Sequence, residues 1–479
     1  MAGLKSASGQ QSKEEMRQVL FNISGACEPG EMLALMGPSG GGKTTLLSIL
    51  GGRAPKLTKQ DGRATFNGSK LNKRVKRQIG FVLQDDLLYS TLTVQETLYF
   101  AAMLRLPKHK TKAQKLERVD AVIKALGLGR CRDTIIGDHM RRGVSGGERK
   151  RVSVGHELLI NPAILLLDEP TSGLDSSAAR KMVELLRKLA SSGRAVITTI
   201  HQPSSNIYRQ LDSVLLLSQG HPIFYGKGAE AAAWFDRLGF ACPYGVNIAD
   251  WILDLASGEV SGKQNSGGDV EAPSLVEVRL RPAASASVQL ARANSSKVAG
   301  VDRSATGLAA SAPGASRWGA SYWTQFTTLF IRAVRVRRFE TLSQQDLAQF
   351  LCVAAVCGMI WWQVGHSDTV YGAQNTTGLL FFEALFLAFR TMFQALFTWP
   401  NEQKMMLKER ASGMYRLSAF YLARSASDIP SDLTIPSVFI AIISTTDING
   451  PPWEAAVLMG FLILSRLLVY IALRMKTKA

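Results

Sequence analysis

"MLALMGPSGGGKTTLLSIL", Met32 to Leu50, sets an apolar run against a glycine-rich turn and then a helical pattern. Strand, tight loop and helix in that order form the context in which such a turn can hold phosphate. Across Gly37, Pro38, Ser39, Gly40, Gly41 and Gly42 few side chains intervene. Main-chain N–H groups can therefore turn inward on phosphate oxygens at a helix N-terminus. Lys43 then reaches the β- and γ-phosphates, the Thr44 hydroxyl can ligate Mg²⁺, and Thr45 completes the ATP-binding set.

Outward from this loop, other short apolar runs end in polar residues. "NPAILLLDEPTSGLD", Asn161 to Asp175, places Asp168 and Glu169 just after a wholly apolar run, as in a parallel strand buried on both faces. Ligands of open α/β sheets bind beyond the carboxyl ends of such strands. Asp168 is expected to hold the Mg²⁺ shell, and Glu169 to orient and deprotonate the water that attacks the γ-phosphate. "AVITTI" ends in His201, on the same rim, where a γ-phosphate sensor would sit. Gln84 follows "QIGFVL" and could contact Mg²⁺ or the attacking water. "RRGVSGGERKRVSVG" is a second glycine-rich helix start, and the expectation is that it completes a nucleotide site on another copy of the domain.

The chain has 479 residues, enough for two or three domains, and a formal net charge of +18. That charge raises nucleic acid as a partner, but the basic residues form no compact stripe with aromatic partners. They scatter through the first half and flank the apolar runs of the second, as at Arg332, Arg335, Arg337, Arg338, Lys404, Lys408 and Arg410. No Lys or Arg falls in Gly365–Thr377 or Ser444–Glu454, the bias expected if those stretches face away from the cytosol. The reading is topological, with no nucleic acid. Five cysteines form no CxxC pair and no metal spacing. The N-terminal stretch lacks a signal-peptide run, so the first domain is expected in the cytosol.

Taken in order, GPSGGGKT, Gln84, VSGGE, ILLLDE, SGLD and His201 resemble the nucleotide-binding domain of an ATP-binding cassette (ABC) transporter. "QDDLLYSTLTVQETLYFAAMLRLP", "GVSGGERKRVS" and "TTIHQPSSNIYRQLD" are similar to the G subfamily, the White/Brown-complex half-transporters. The resemblance implies that Ser145, Gly146, Gly147 and Glu148 bind, in trans, the γ-phosphate held by a partner's loop. It also implies that Asp175 lies at the dimer contact.

The expected fold is an α/β P-loop NTPase, an ABC cassette with a helical subdomain, followed by an all-α multi-pass membrane domain. The cassette spans 1–258, an Ala/Ser/Gly-rich disordered linker 259–316, an amphipathic connecting helix 317–346 and a partial membrane domain of about four helices 347–479. Candidate spans are 347–364, 377–399, 429–443 and 453–473. Glu383 and Arg390 in the second are costly unless they face a partner or the pathway. The resemblance implies that Ser444–Pro452 stands in place of the family's fourth and fifth helices.

The expected function is an ATPase that dimerises, with itself or with another G-subfamily half-transporter, and exports a lipophilic small molecule. ATP and Mg²⁺ are its cofactors. It is expected in a lipid membrane, the plasma membrane rather than an internal one, with the cassette in the cytosol. The alternative is a transport-incompetent subunit that binds ATP and regulates a longer partner. "NEQKMMLKERASGMYR", residues 401–416, is expected to couple the cassette to the membrane helices.

Overall fold

The five side chains of Met32–Met36 are all buried, which makes this run a central strand. Burying each large one contributes about 1.5–3 kcal/mol. The computed structural model describes residues 18–54, 61–258, 318–336, 370–429 and parts of 352–360. The linker 259–316, the segment Ser444–Pro452 and the last membrane candidate lie outside the described residues, as do nearly all of 429–443 and much of 347–364.

In chain order the elements are β1 (Met32–Met36), α1 (Lys43–Leu50), β2 (Thr65–Phe66), β3 (Ser69–Lys70), α2 (Lys73–Arg77), β4 (Ile79–Val82), α3 (Val94–Arg105) and α4 (Lys112–Ala125). Then come α5 (Gly146–Leu158), β5 (Ile164–Leu167), α6 (Ser176–Ser191), β6 (Ala195–Thr199), α7 (Ser205–Tyr208), β7 (Ser213–Ser218) and β8 (His221–Lys227). The described chain continues with α8 (Ala231–Arg237), α9 (Ile248–Ser257), α10 (Tyr322–Val336) and α11 (Val370–Ala411). They fall into two compact units, Met1–Leu71 with Ala163–Gly307, and Asn72–Pro162 with Leu308–Ala479.

In the first unit, β1 pairs in parallel with β6 on one side and β7 on the other, and β5 extends the sheet beyond β6. β8 returns antiparallel to β7, so the sheet is mixed at that edge. The turn between them is Gln219–Gly220, both at positive φ, the geometry whose twist matches two paired strands. Helix α6 buries Ala179, Met182, Val183, Leu186 and Ala190, spaced for one face of a helix, and Asp175 caps its start.

The second unit is mostly helical. Capping boxes open three of its helices: Thr93 with Glu96 for α3, Thr111 with Gln114 for α4, and Ser145 with Glu148 for α5. Helix α10 packs against α3. Arg332 and Arg335, read above as charges flanking a membrane run, are tied into this packing by ion pairs. Arg332 forms a buried two-pronged bond with Glu409, at 2.6 and 2.9 Å, and Arg335 meets Glu96 at 2.6 Å.

Among the described residues, no helix is long and apolar enough to cross a membrane. The expected span 377–399 is helical within α11, but Glu383, Arg390, Gln394 and its threonines dilute its apolar character. The helix then runs on through Pro400 to Ala411, so residues 401–411 continue it.

Candidate functional site

The glycine-rich loop leaves the carboxyl end of β1 and enters α1 at Lys43. Two of its neighbours explain its glycines. Gly37 has a φ of 141°, and a Cβ there would lie 1.9 Å from the Leu217 carbonyl oxygen. Across the loop, Gly220 donates its N–H to the Gly41 carbonyl at 3.2 Å and accepts from the Phe21 N–H at 2.9 Å. The loop is thus clamped against the β7–β8 turn by main chain alone. Gly42 caps α1 in the left-handed region with no side-chain hydrogen bond to the first turn.

Lys43 is buried, and its ammonium donates to the carbonyls of Gly37 and Pro38 at 2.7 and 2.8 Å. Burial pulls its pKa down, opposed by the carboxylates of Glu169 and Asp168. One oxygen, Asp168 Oδ1, collects two hydroxyls: Thr44 Oγ1 donates to it at 3.1 Å and Thr199 Oγ1 at 2.7 Å. Thr199 also accepts the Glu169 N–H at 2.7 Å. These residues sit at the carboxyl ends of β1, β5 and β6, three neighbouring parallel strands.

Glu169 has a φ of 44°, uncommon outside glycine, and the Thr199 bond fixes the backbone in that state. His201 Nε2 and Ser39 Oγ are 3.4 Å apart. Asp175 accepts from Ser177 Oγ and the Ala178 N–H, which together hold its carboxylate pKa below the usual range. The structure therefore brings together Gly37–Thr45, Asp168, Glu169 and His201 in one unit.

Gln84 and Ser145–Glu148 belong to the other unit. Gln84 follows β4, and its carbonyl accepts from Lys150 at 2.8 Å. The Ser145 hydroxyl and N–H both donate to the Glu148 carboxylate at 2.9 Å. Hydrogen bonds from the Ser145 N–H and hydroxyl hold the Glu148 pKa low against its partial burial. Thr199 was not foreseen. The signal was a Thr198–Thr199 pair closing an otherwise aliphatic strand.

Residues 20–172 match the ABC transporter family and residues 324–475 the ABC-2 type transporter family. ABC transporter G family member 14 of Arabidopsis thaliana is 45% identical over 436 residues, covering 90% of this chain and 66% of that one. G family member 22 of the same plant is 43% identical, with 89% and 59% covered. Protein white of Drosophila melanogaster is 35% identical, with 89% and 61% covered. This chain thus spans about three fifths to two thirds of the length of these relatives. With an ABC cassette followed by an ABC-2 type domain in one polypeptide, it belongs to the G family of ABC transporters.

Proposed function

We propose that the chain binds and hydrolyses ATP at the loop Gly37–Thr45 and uses that reaction to export a lipophilic compound as a dimeric half-transporter. The observation that carries this reading is the convergence of Thr44 and Thr199 on Asp168 beside the Lys43 ammonium. The residues fit a polyphosphate: a cradle in which a Cβ at Gly37 would collide with main chain, and a helix start whose cap contributes no side chain. Lys43 would leave its carbonyl partners for phosphate oxygens. Thr44, Asp168 and Gln84 would hold Mg²⁺, which when bound neutralises charge on the β- and γ-phosphates.

Glu169 takes the proton of the attacking water as its oxygen bonds to the γ-phosphorus and the β–γ bridge breaks, giving ADP and phosphate. His201, braced by Ser39, meets the γ-phosphate. Ser145, Gly146, Gly147 and Glu148 close on the nucleotide of a partner copy, and Asp175 lies at that contact. An identical chain or another G-family half-transporter serves as partner. The domains are a cassette over 1–258, a linker over 259–316, a connecting helix over 317–346 and a membrane domain over 347–479.

The exposed residues Phe381, Leu385, Phe389, Met392 and Leu396 recur every three or four positions along α11. Such a lane supports an apolar environment, as in a lipid membrane; the membrane is read as the plasma membrane and the cargo as lipophilic. Coupling runs through residues 401–416, where Glu409 is held by Arg332 and by the Tyr415 hydroxyl at 2.6 Å.

Glu169→Gln tests the reading. It keeps the shape and removes the base, so ATP hydrolysis should fall roughly 10²–10⁴-fold while bound ATP is retained. Unchanged turnover in this variant would overturn the assignment of the base.

A further inference from the structure

Helix α10 carries its polarity inside out. Gln325, Thr328 and Arg332 are buried on its packed face beside Leu329. Its open face is apolar, with Trp323, Ile331 and Val334 each at least 48% exposed. The helix also opens the stretch that matches the ABC-2 type transporter family, so a lipid bilayer is the apolar phase at hand.

Beside that face lies a groove of about 560 Å³, in the size range of small-molecule sites. Ile331 lines it as well, so apolar surface runs from the open face of α10 into the groove. Tyr99 of α3 contributes an aromatic ring, and the charged lining consists of Lys112, Arg335, Glu96 and Asp133. Glu96 is already committed, accepting the Thr93 N–H at 3.0 Å and meeting Arg335 at 2.6 Å. The Arg335 side chain is nonetheless 52% exposed. Lys112 stands in the first turn of α4, where the helix dipole disfavours a cation and no acidic residue offsets it. An anion placed there meets two cations and the positive end of α4 at once. Asp133 is exposed, and an acid with an aromatic ring is the pairing that holds a quaternary ammonium.

We infer that this groove binds the phosphocholine head of a membrane lipid. The phosphate lies on Lys112 and Arg335 and the trimethylammonium on Tyr99 and Asp133, while the acyl chains leave over Ile331 onto the open face of α10. All of these residues belong to the second unit, and nothing in the site depends on ATP turnover.

The test titrates dihexanoyl phosphatidylcholine, below its micelle concentration, onto the full chain in maltoside detergent and follows binding by native mass spectrometry. Binding should saturate, and Lys112→Gln should weaken it about tenfold by removing a charge-assisted contact. Tyr99→Leu and Asp133→Asn should each weaken it about three- to tenfold. Tyr99→Phe, which keeps the ring, should bind as the unmodified chain does, and thermal unfolding checks that Tyr99→Leu still folds. Lys112 and Asp133 are exposed, so their variants test the site whatever happens at Tyr99. Lys124→Gln removes an exposed lysine near the other end of α4 and should change nothing. Dihexanoyl phosphatidylglycerol has the phosphate but no cation, so Lys112→Gln should weaken it and Asp133→Asn should not. Absence of saturable binding, an equal loss with Lys124→Gln, or unchanged affinity in the Lys112 and Asp133 variants would each overturn the site. An equal effect of Asp133→Asn on both lipids would overturn the ammonium assignment. Chain-free phosphocholine binding as tightly as the lipid would overturn the membrane as its source.

Discussion

Thr199 is the residue on which the nucleotide site turns, because one hydroxyl serves two partners. It donates to Asp168 and accepts from the Glu169 N–H, and it is fully buried. Valine has nearly the same shape and neither capacity. Thr199→Val should leave a buried carboxylate and a part-buried N–H each short of one hydrogen bond, costing about 1–3 kcal/mol in all. Thermal unfolding should register the loss, and hydrolysis should fall at least tenfold while ATP binding, measured by equilibrium titration, stays near normal. Most of this site was legible in the sequence, because glycine-rich turns and acids after apolar runs have few other uses. Gly37–Thr45, Asp168, Glu169 and His201 do meet at one rim. Thr199 escaped because a threonine in a strand is an ordinary β-branched filler, and only its partners mark it out.

At the scale of elements, the β7–β8 turn is the less visible half of the phosphate loop. Gly220 has a φ of 80°, and a Cβ there would lie 2.0 Å from the Val19 carbonyl oxygen. Gly220→Ala should force the turn off residues 19–21 and loosen the Gly41 contact. The expected result is a loss of about 1–3 kcal/mol in stability and weaker ATP binding, both measurable by unfolding with and without ATP. Unchanged binding would show that the clamp on Gly41 is dispensable. The helical pattern of residues 323–340 was legible in the sequence, and α10 occupies Tyr322–Val336. The partners of its arginines were not. Arg332 is separated from Glu409 by 77 positions, a pairing that local charge patterning cannot reveal.

Across the whole molecule, the second unit is organised round buried carboxylates. Burial alone would raise the pKa values of Glu157 and Glu409, but Arg105 beside the first and Arg332 beside the second more than offset it, so both are held low. A carboxylate depressed in the folded state adds stability above its unfolded pKa, near 4, and loses it as pH falls through the folded value. The second unit should therefore hold its packing at neutral pH and lose it progressively below about pH 4. Tryptophan fluorescence through an acid titration would follow this, and Glu409→Gln should make the loss less steep while lowering stability by about 3–5 kcal/mol at pH 7. That residues 72–162 form one unit with residues after 307 was not legible, since periodicity identifies elements but not their neighbours. Helix α11 gives this unit leverage. Pro400 cannot donate the hydrogen bond that its neighbours make, so it is the natural bending point of a 42-residue rod. Lys408 lies eight positions further on, a lever arm of about 12 Å. A bend of about 20° at Pro400 would swing its ammonium by roughly 4 Å, further than the 2.7 Å that now joins it to Leu87. A small change of angle above the proline would thereby part the Lys408–Leu87 hydrogen bond below it.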